Sequence, residues 1–150
     1  MDINILTETQ LSQLRELIVT SQKIVICCHK SPDGDALGSS LGLAEYLRTQ
    51  GKQPLVAVPD AFPDFLKWLP GADKTVRYDK HKDIIDAAFA EADLVFCLDF
   101  NDTKRVAEME EPLLASKAQK ILVDHHLEPT VECALEVSRP SMSSTSEIIF

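Results

Sequence analysis

Four apolar runs constrain this chain more than any other feature: "KIVICC" from Lys23, "PLVAV" from Pro54, "DLVFCL" from Asp93 and "KILV" from Lys120. None alternates polar with apolar residues, and "KIVICC" is a β-branched run, the pattern of strands buried on both faces. The segments between them carry apolar residues at helical spacing. Strands buried on both faces and alternating with helices require an α/β fold, a parallel sheet flanked by helices on both faces.

The flanking segments fit that scheme. "TETQLSQLRELIVTSQ" places Leu11, Leu14, Leu17 and Ile18 on one face with Thr7 or Thr9 as a cap, predicting a first helix packed on the sheet. A helix over about Gly38 to Gln50 offers Leu41, Ala44 and Leu47 and ends at Gly51. "FPDFLKWLPG" reads as a short helical piece and "HKDIIDAAFAEA" as a further helix. "NDTKRVAEMEEPLLASKA" has cap residues Asn101, Asp102 and Thr103, and Pro112 is expected to kink or end its helix. A last strand is expected near Ala134 to Val137, before "SMSSTSEIIF", a helix that has only begun. The length of 150 residues suits one domain or most of one, with no repeat or linker. Because the chain stops at Phe150 within that apolar helix start, it is expected to be the N-terminal part of a longer protein.

A formal net charge of -9 excludes non-specific binding of long duplex nucleic acid, so any phosphate-bearing partner must be met locally. No apolar stretch reaches the roughly 18 residues of a membrane span, and "MDINILTETQ" lacks a signal-peptide layout; no membrane association and a cytoplasmic location are expected. Cys27, Cys28, Cys97 and Cys133 form no CxxC pair, and three of them sit in apolar runs, which predicts reduced core thiols.

Three of the strands run directly into acid and imidazole groups: His29 with Asp33 and Asp35, then Asp99, then Asp124 with His125 and His126. In an open parallel sheet, ligands bind outside the carboxyl ends of the strands. Taken singly, each residue has an ordinary explanation: Asp33-Gly34 as a turn, His29 as a satisfied core histidine, Asp99 as a helix cap. Gathered on one edge, however, the carboxylates cannot all stay ionised without counter-charge, and divalent cations supply it. Mixed imidazole and carboxylate donors suit manganese, iron or zinc better than calcium. Such a site can hold two cations about 3.5–4 Å apart, an arrangement that activates water and clamps a phosphoryl group. His81, between Lys80 and Lys82, reads as solvated surface.

In order along the chain, "HKSPDGDALGSSLGL", "VFCLDFNDTKRV", "ILVDHH" and "SSTSEIIF" resemble the successive motifs of the DHH phosphoesterase superfamily, nearest its bacterial nanoRNase and pAp-phosphatase branch. The resemblance implies a Rossmann-like layered DHH domain and a manganese-dependent phosphoesterase. Its substrates would be short oligoribonucleotides or adenosine 3′,5′-bisphosphate, which would lose its 3′-phosphate. It further implies two manganese ions, with magnesium, cobalt or another divalent ion chemically admissible: His29 and Asp33 on one, Asp35 and His125 on the other, Asp99 bridging. Asp124 would orient the imidazoles and His126 would contact the scissile phosphate or leaving-group oxygen. The family also carries a further metal-binding aspartate and a second, substrate-binding domain downstream. Neither lies within these 150 residues, so the chain is expected to be incomplete at its C-terminus and weakly active or inactive alone. A homodimer is compatible with the resemblance. The alternatives are a cyclic dinucleotide phosphodiesterase, a non-catalytic metal- or nucleotide-binding module, and a structural α/β domain whose acids are only caps and turns.

Overall fold

The strands are β1 (Ile24–Cys28), β2 (Leu55–Val58), β3 (Val76–Arg77), β4 (Leu94–Leu98), β5 (Gln119–Asp124) and β6 (Leu135–Ser138). The helices are α1 (Glu8–Thr20), α2 (Gly34–Thr49), α3 (Lys82–Glu91) and α4 (Glu110–Ala115). They come from a computed structural model that describes residues 8–29, 34–60, 72–98, 106, 108–124 and 135–138. The strands form one sheet in the order β3-β2-β1-β4-β5-β6, and every neighbouring pair is parallel. The α/β layering expected from the apolar runs is the observed fold.

The runs lack alternation because both faces of the central strands are covered. All five residues of β1 and all five of β4 are buried. Ile24, Ile26, Leu94, Phe96 and Leu98 pack with Leu37, Leu41, Ala44 and Leu47 of α2, and Leu14, Leu17 and Ile18 of α1 close over the same cluster. The intervening Val25, Cys27, Val95 and Cys97 pack with Ile85 and Phe89 of α3 and Leu113 of α4. Successive side chains of a strand thus reach opposite layers, each with its own helix pair.

Helix boundaries differ from the sequence expectation in two places. α2 begins at Gly34, four residues before the predicted start. Leu37, fully buried, opens the stripe that continues through Leu41 and Ala44, so the helical period already runs through the glycine-rich stretch. Pro112 does not end α4, which runs on to Ala115; it lies in the first turn, where its missing N–H would have had no helical partner. Residues 62–71, 101–105 and 139–150, on which the other helix expectations fall, lie outside the described residues.

Gly51 ends α2 as predicted. Its φ of 79° is the left-handed region that glycine enters without Cβ strain, and two backbone bonds close the turn: Gly51 N–H to the Arg48 carbonyl at 3.0 Å, and Lys52 N–H to that of Leu47 at 3.0 Å.

At the amino edge of the sheet, Asp93 ties three segments together. Its carboxylate accepts from the N–H groups of Gln22 and Lys23, both at 3.1 Å, and its own carbonyl accepts from Gln119 N–H at 3.1 Å. The two backbone donors hold its carboxyl below the usual aspartate range. A group depressed in the folded state stabilises it above the unfolded pKa, and that contribution is lost as pH falls through the folded pKa. Asp93→Ala should therefore melt below the parent at neutral pH, with the gap closing on acidification below the normal carboxylate range. Melting curves followed by circular dichroism across that range check this.

Cys27, Cys28 and Cys97 are fully buried thiols in no disulfide, as expected; Cys133 lies outside the described residues. Cys27 and Cys97 are register partners on β1 and β4. Contact with the Cys97 thiol, followed by burial, pushes Cys27 well above the ordinary thiol range. These three cysteines should react with Ellman's reagent on the order of 10³-fold more slowly in the native than in the denatured chain, since access requires opening a stable core. Mass-spectrometric mapping of the labelled positions measures the protection.

Candidate active site at the carboxyl edge of the sheet

The strand order reverses direction between β1 and β4: the chain leaves β1 for β2 on one side and leaves β4 for β5 on the other. Such a switch point opens a crevice outside the carboxyl ends of the two strands, with helix N-termini at its rim. The N-terminus of α2, six residues after the end of β1, brings the positive end of a 16-residue helix to that edge.

The register aligns the strand ends that carry the candidate residues. Cys28 of β1 is level with Leu98 of β4, and Leu98 with Val123 of β5. His29 follows Cys28 and is buried, 7% exposed. Asp124 follows Val123 as the last residue of β5, its backbone paired with Ser138 of β6. At about 4.8 Å per strand, the ends of β1 and β5 lie about 10 Å apart with β4 between them. Asp35 is in the first turn of α2. The sheet thus brings His29 and the backbone of Asp124 to one edge. Asp33, Asp99, His125 and His126 lie outside the described residues. Among the described residues, no three His, Cys, Asp or Glu side chains group to hold a metal ion.

Sequence reasoning treated only three strand ends as acidic. β2 and β3 also run into acids, Asp60 and Asp79. Asp79 is taken up by the Arg77 guanidinium, whose Nε and terminal nitrogen donate to its two carboxylate oxygens at 3.1 and 2.7 Å and hold it below the usual range. That hydrogen-bonded ion pair in turn raises Arg77, with Asp60 adding to the rise. The motifs "VPD" and "VRYD" were visible, but their runs are short and their place at the sheet margin was not. An acid after a strand is therefore not diagnostic by itself; ending a strand at the switch point or next to it is what separates His29 and Asp124 from Asp79, which follows the edge strand β3.

A second polar cluster lies between α3 and α4, away from the predicted residues. The Tyr78 hydroxyl donates to Asp86 at 2.8 Å and the Lys82 ammonium donates to the same carboxylate at 2.5 Å, 5.6 Å from the Tyr78 ring centre. Lys82 holds Asp86 low, while burial and then Asp86 itself push the Tyr78 phenol up. No helix among the described residues is long and apolar enough to cross a membrane.

Comparison with known proteins bears on this edge. The cyclic-di-AMP phosphodiesterase GdpP of Geobacillus thermodenitrificans is 30% identical over 147 residues, covering 91% of this chain and 22% of that protein. The bifunctional oligoribonuclease and PAP phosphatase NrnA of Thermus thermophilus is 34% identical over 127 residues, covering 84% of this chain and 35% of its own length. Among solved structures, an exopolyphosphatase-related protein from Bacteroides fragilis superposes with a TM-score of 0.94 at 46% identity, over 96% of this chain and 42% of that one. RecJ from Thermus thermophilus, solved in complex with Mn2+, superposes with a TM-score of 0.57 at 16% identity over 99% of this chain and 21% of its own; this likeness concerns the fold alone. The chain thus spans less than half the length of each of these proteins. Residues 23–150, from the start of the first buried strand through all four motifs, match the family model described as DHH family, N-terminal domain, and the chain belongs to the DHH family.

Proposed function

We propose that this chain is the metal-binding portion of a manganese-dependent phosphoesterase that hydrolyses short oligoribonucleotides and removes the 3′-phosphate of adenosine 3′,5′-bisphosphate. The observation that carries the reading is the match of residues 23–150 to the DHH family, on a sheet whose switch point lies between β1, whose end leads into the first motif, and β4, which carries the start of the second. The similarity to NrnA supports the substrate class.

The donor types fit divalent cations: His29, buried at the end of β1, and the motif residues Asp33, Asp35, Asp99 and His125 combine imidazole with carboxylate, a mixture suited to borderline ions such as manganese. In this proposal His29 and Asp33 would hold one cation, Asp35 and His125 the other, and Asp99 would serve both. When bound, such cations offset the carboxylate charge, polarise the phosphoryl oxygens and acidify a water. Asp124 accepts from an imidazole N–H and so fixes which ring nitrogen is free to bind metal. His126 donates its proton to the leaving-group oxygen. The N-terminal turn of α2 supplies N–H groups and a positive helix end toward a phosphate.

A cyclic dinucleotide phosphodiesterase is the second reading, favoured by the similarity to GdpP along 91% of the chain. The discriminating experiment presents an RNA dinucleotide, adenosine 3′,5′-bisphosphate and cyclic-di-AMP with manganese to this chain and to a longer form of the protein from its source, and follows the products of each by chromatography. Mononucleotides from the first and adenosine monophosphate from the second are expected. Turnover of cyclic-di-AMP alone would favour the second reading. Manganese binding, with bis-p-nitrophenyl phosphate left intact as well, would mark a non-catalytic module.

A further inference from the structure

We draw no further inference here: the strongest candidate, the groove of about 580 Å³ between α3 and α4 lined by Tyr78, Lys82, Asp86, Glu108, Glu110 and Glu111, carries nothing because it is an acidic cluster with no second observation pointing to a ligand or showing what covers it.

Discussion

Replacing Asp99 by alanine should reduce phosphoester hydrolysis by on the order of 10³-fold and weaken manganese binding at both proposed positions. Position 99 follows Leu98, the end of the middle strand of the three whose ends are level. In the proposed assignment its carboxylate serves both cations, so its loss removes several kcal/mol of charge stabilisation from the transition state, and each ~1.4 kcal/mol is about tenfold in rate. The informative contrast is His126→Ala, which should lower turnover by about 10²–10⁴-fold while leaving manganese affinity unchanged, as expected for a proton donor. Isothermal titration with manganese, beside kinetics on the substrate that the protein turns over, separates the two. Parental manganese affinity in Asp99→Ala would overturn the two-cation assignment, and lost affinity in His126→Ala would remove that residue from the proton-donor role. Unchanged far-ultraviolet dichroism in both variants keeps unfolding out of the comparison.

Phe89→Ala should cost about 3–5 kcal/mol of stability and lower the melting temperature by roughly 10 °C. Phe89 is fully buried in α3, one turn from the equally buried Ile85, and packs into the layer formed with Val95, Cys97, Met109 and Leu113. Removing the ring leaves a void against two central strands that their sheet partners hold in place, so little collapse can offset the loss. Ile84, on the same helix but 53% exposed, is the control: Ile84→Ala should stay within about 0.5 kcal/mol of the parent. Urea unfolding of the pair measures the difference, and equal midpoints would show that the α3 layer contributes little to the core.

Much of the fold was legible because burial on both faces leaves a local signature. "KIVICC", "DLVFCL" and "KILV" carry it in consecutive residues, and each is a strand of the central sheet. β3 escaped notice because two residues, Val76 and Arg77, show no period; the strand exists through its pairing with Ala57 and Val58, which no local pattern encodes. The early start of α2 was hidden by Gly34 and Asp35, weak helix formers by intrinsic preference, whereas packing of Leu37 against the sheet overrides that preference. For the candidate site, the residue types were readable at the strand ends, but strand order was not. The sequence by itself determined that apolar parallel strands end in His29 and Asp124, since covalent adjacency to a buried run is enough to place a residue at a strand's carboxyl end. Only the tertiary structure decided that β1 lies beside β4 rather than β3, which levels the ends carrying His29 and Asp124 and leaves Asp79 to an ion pair with Arg77 at the margin. Strand order is set by non-local packing of helices on both faces, and apolar periodicity along one strand says nothing about which strand lies next to it.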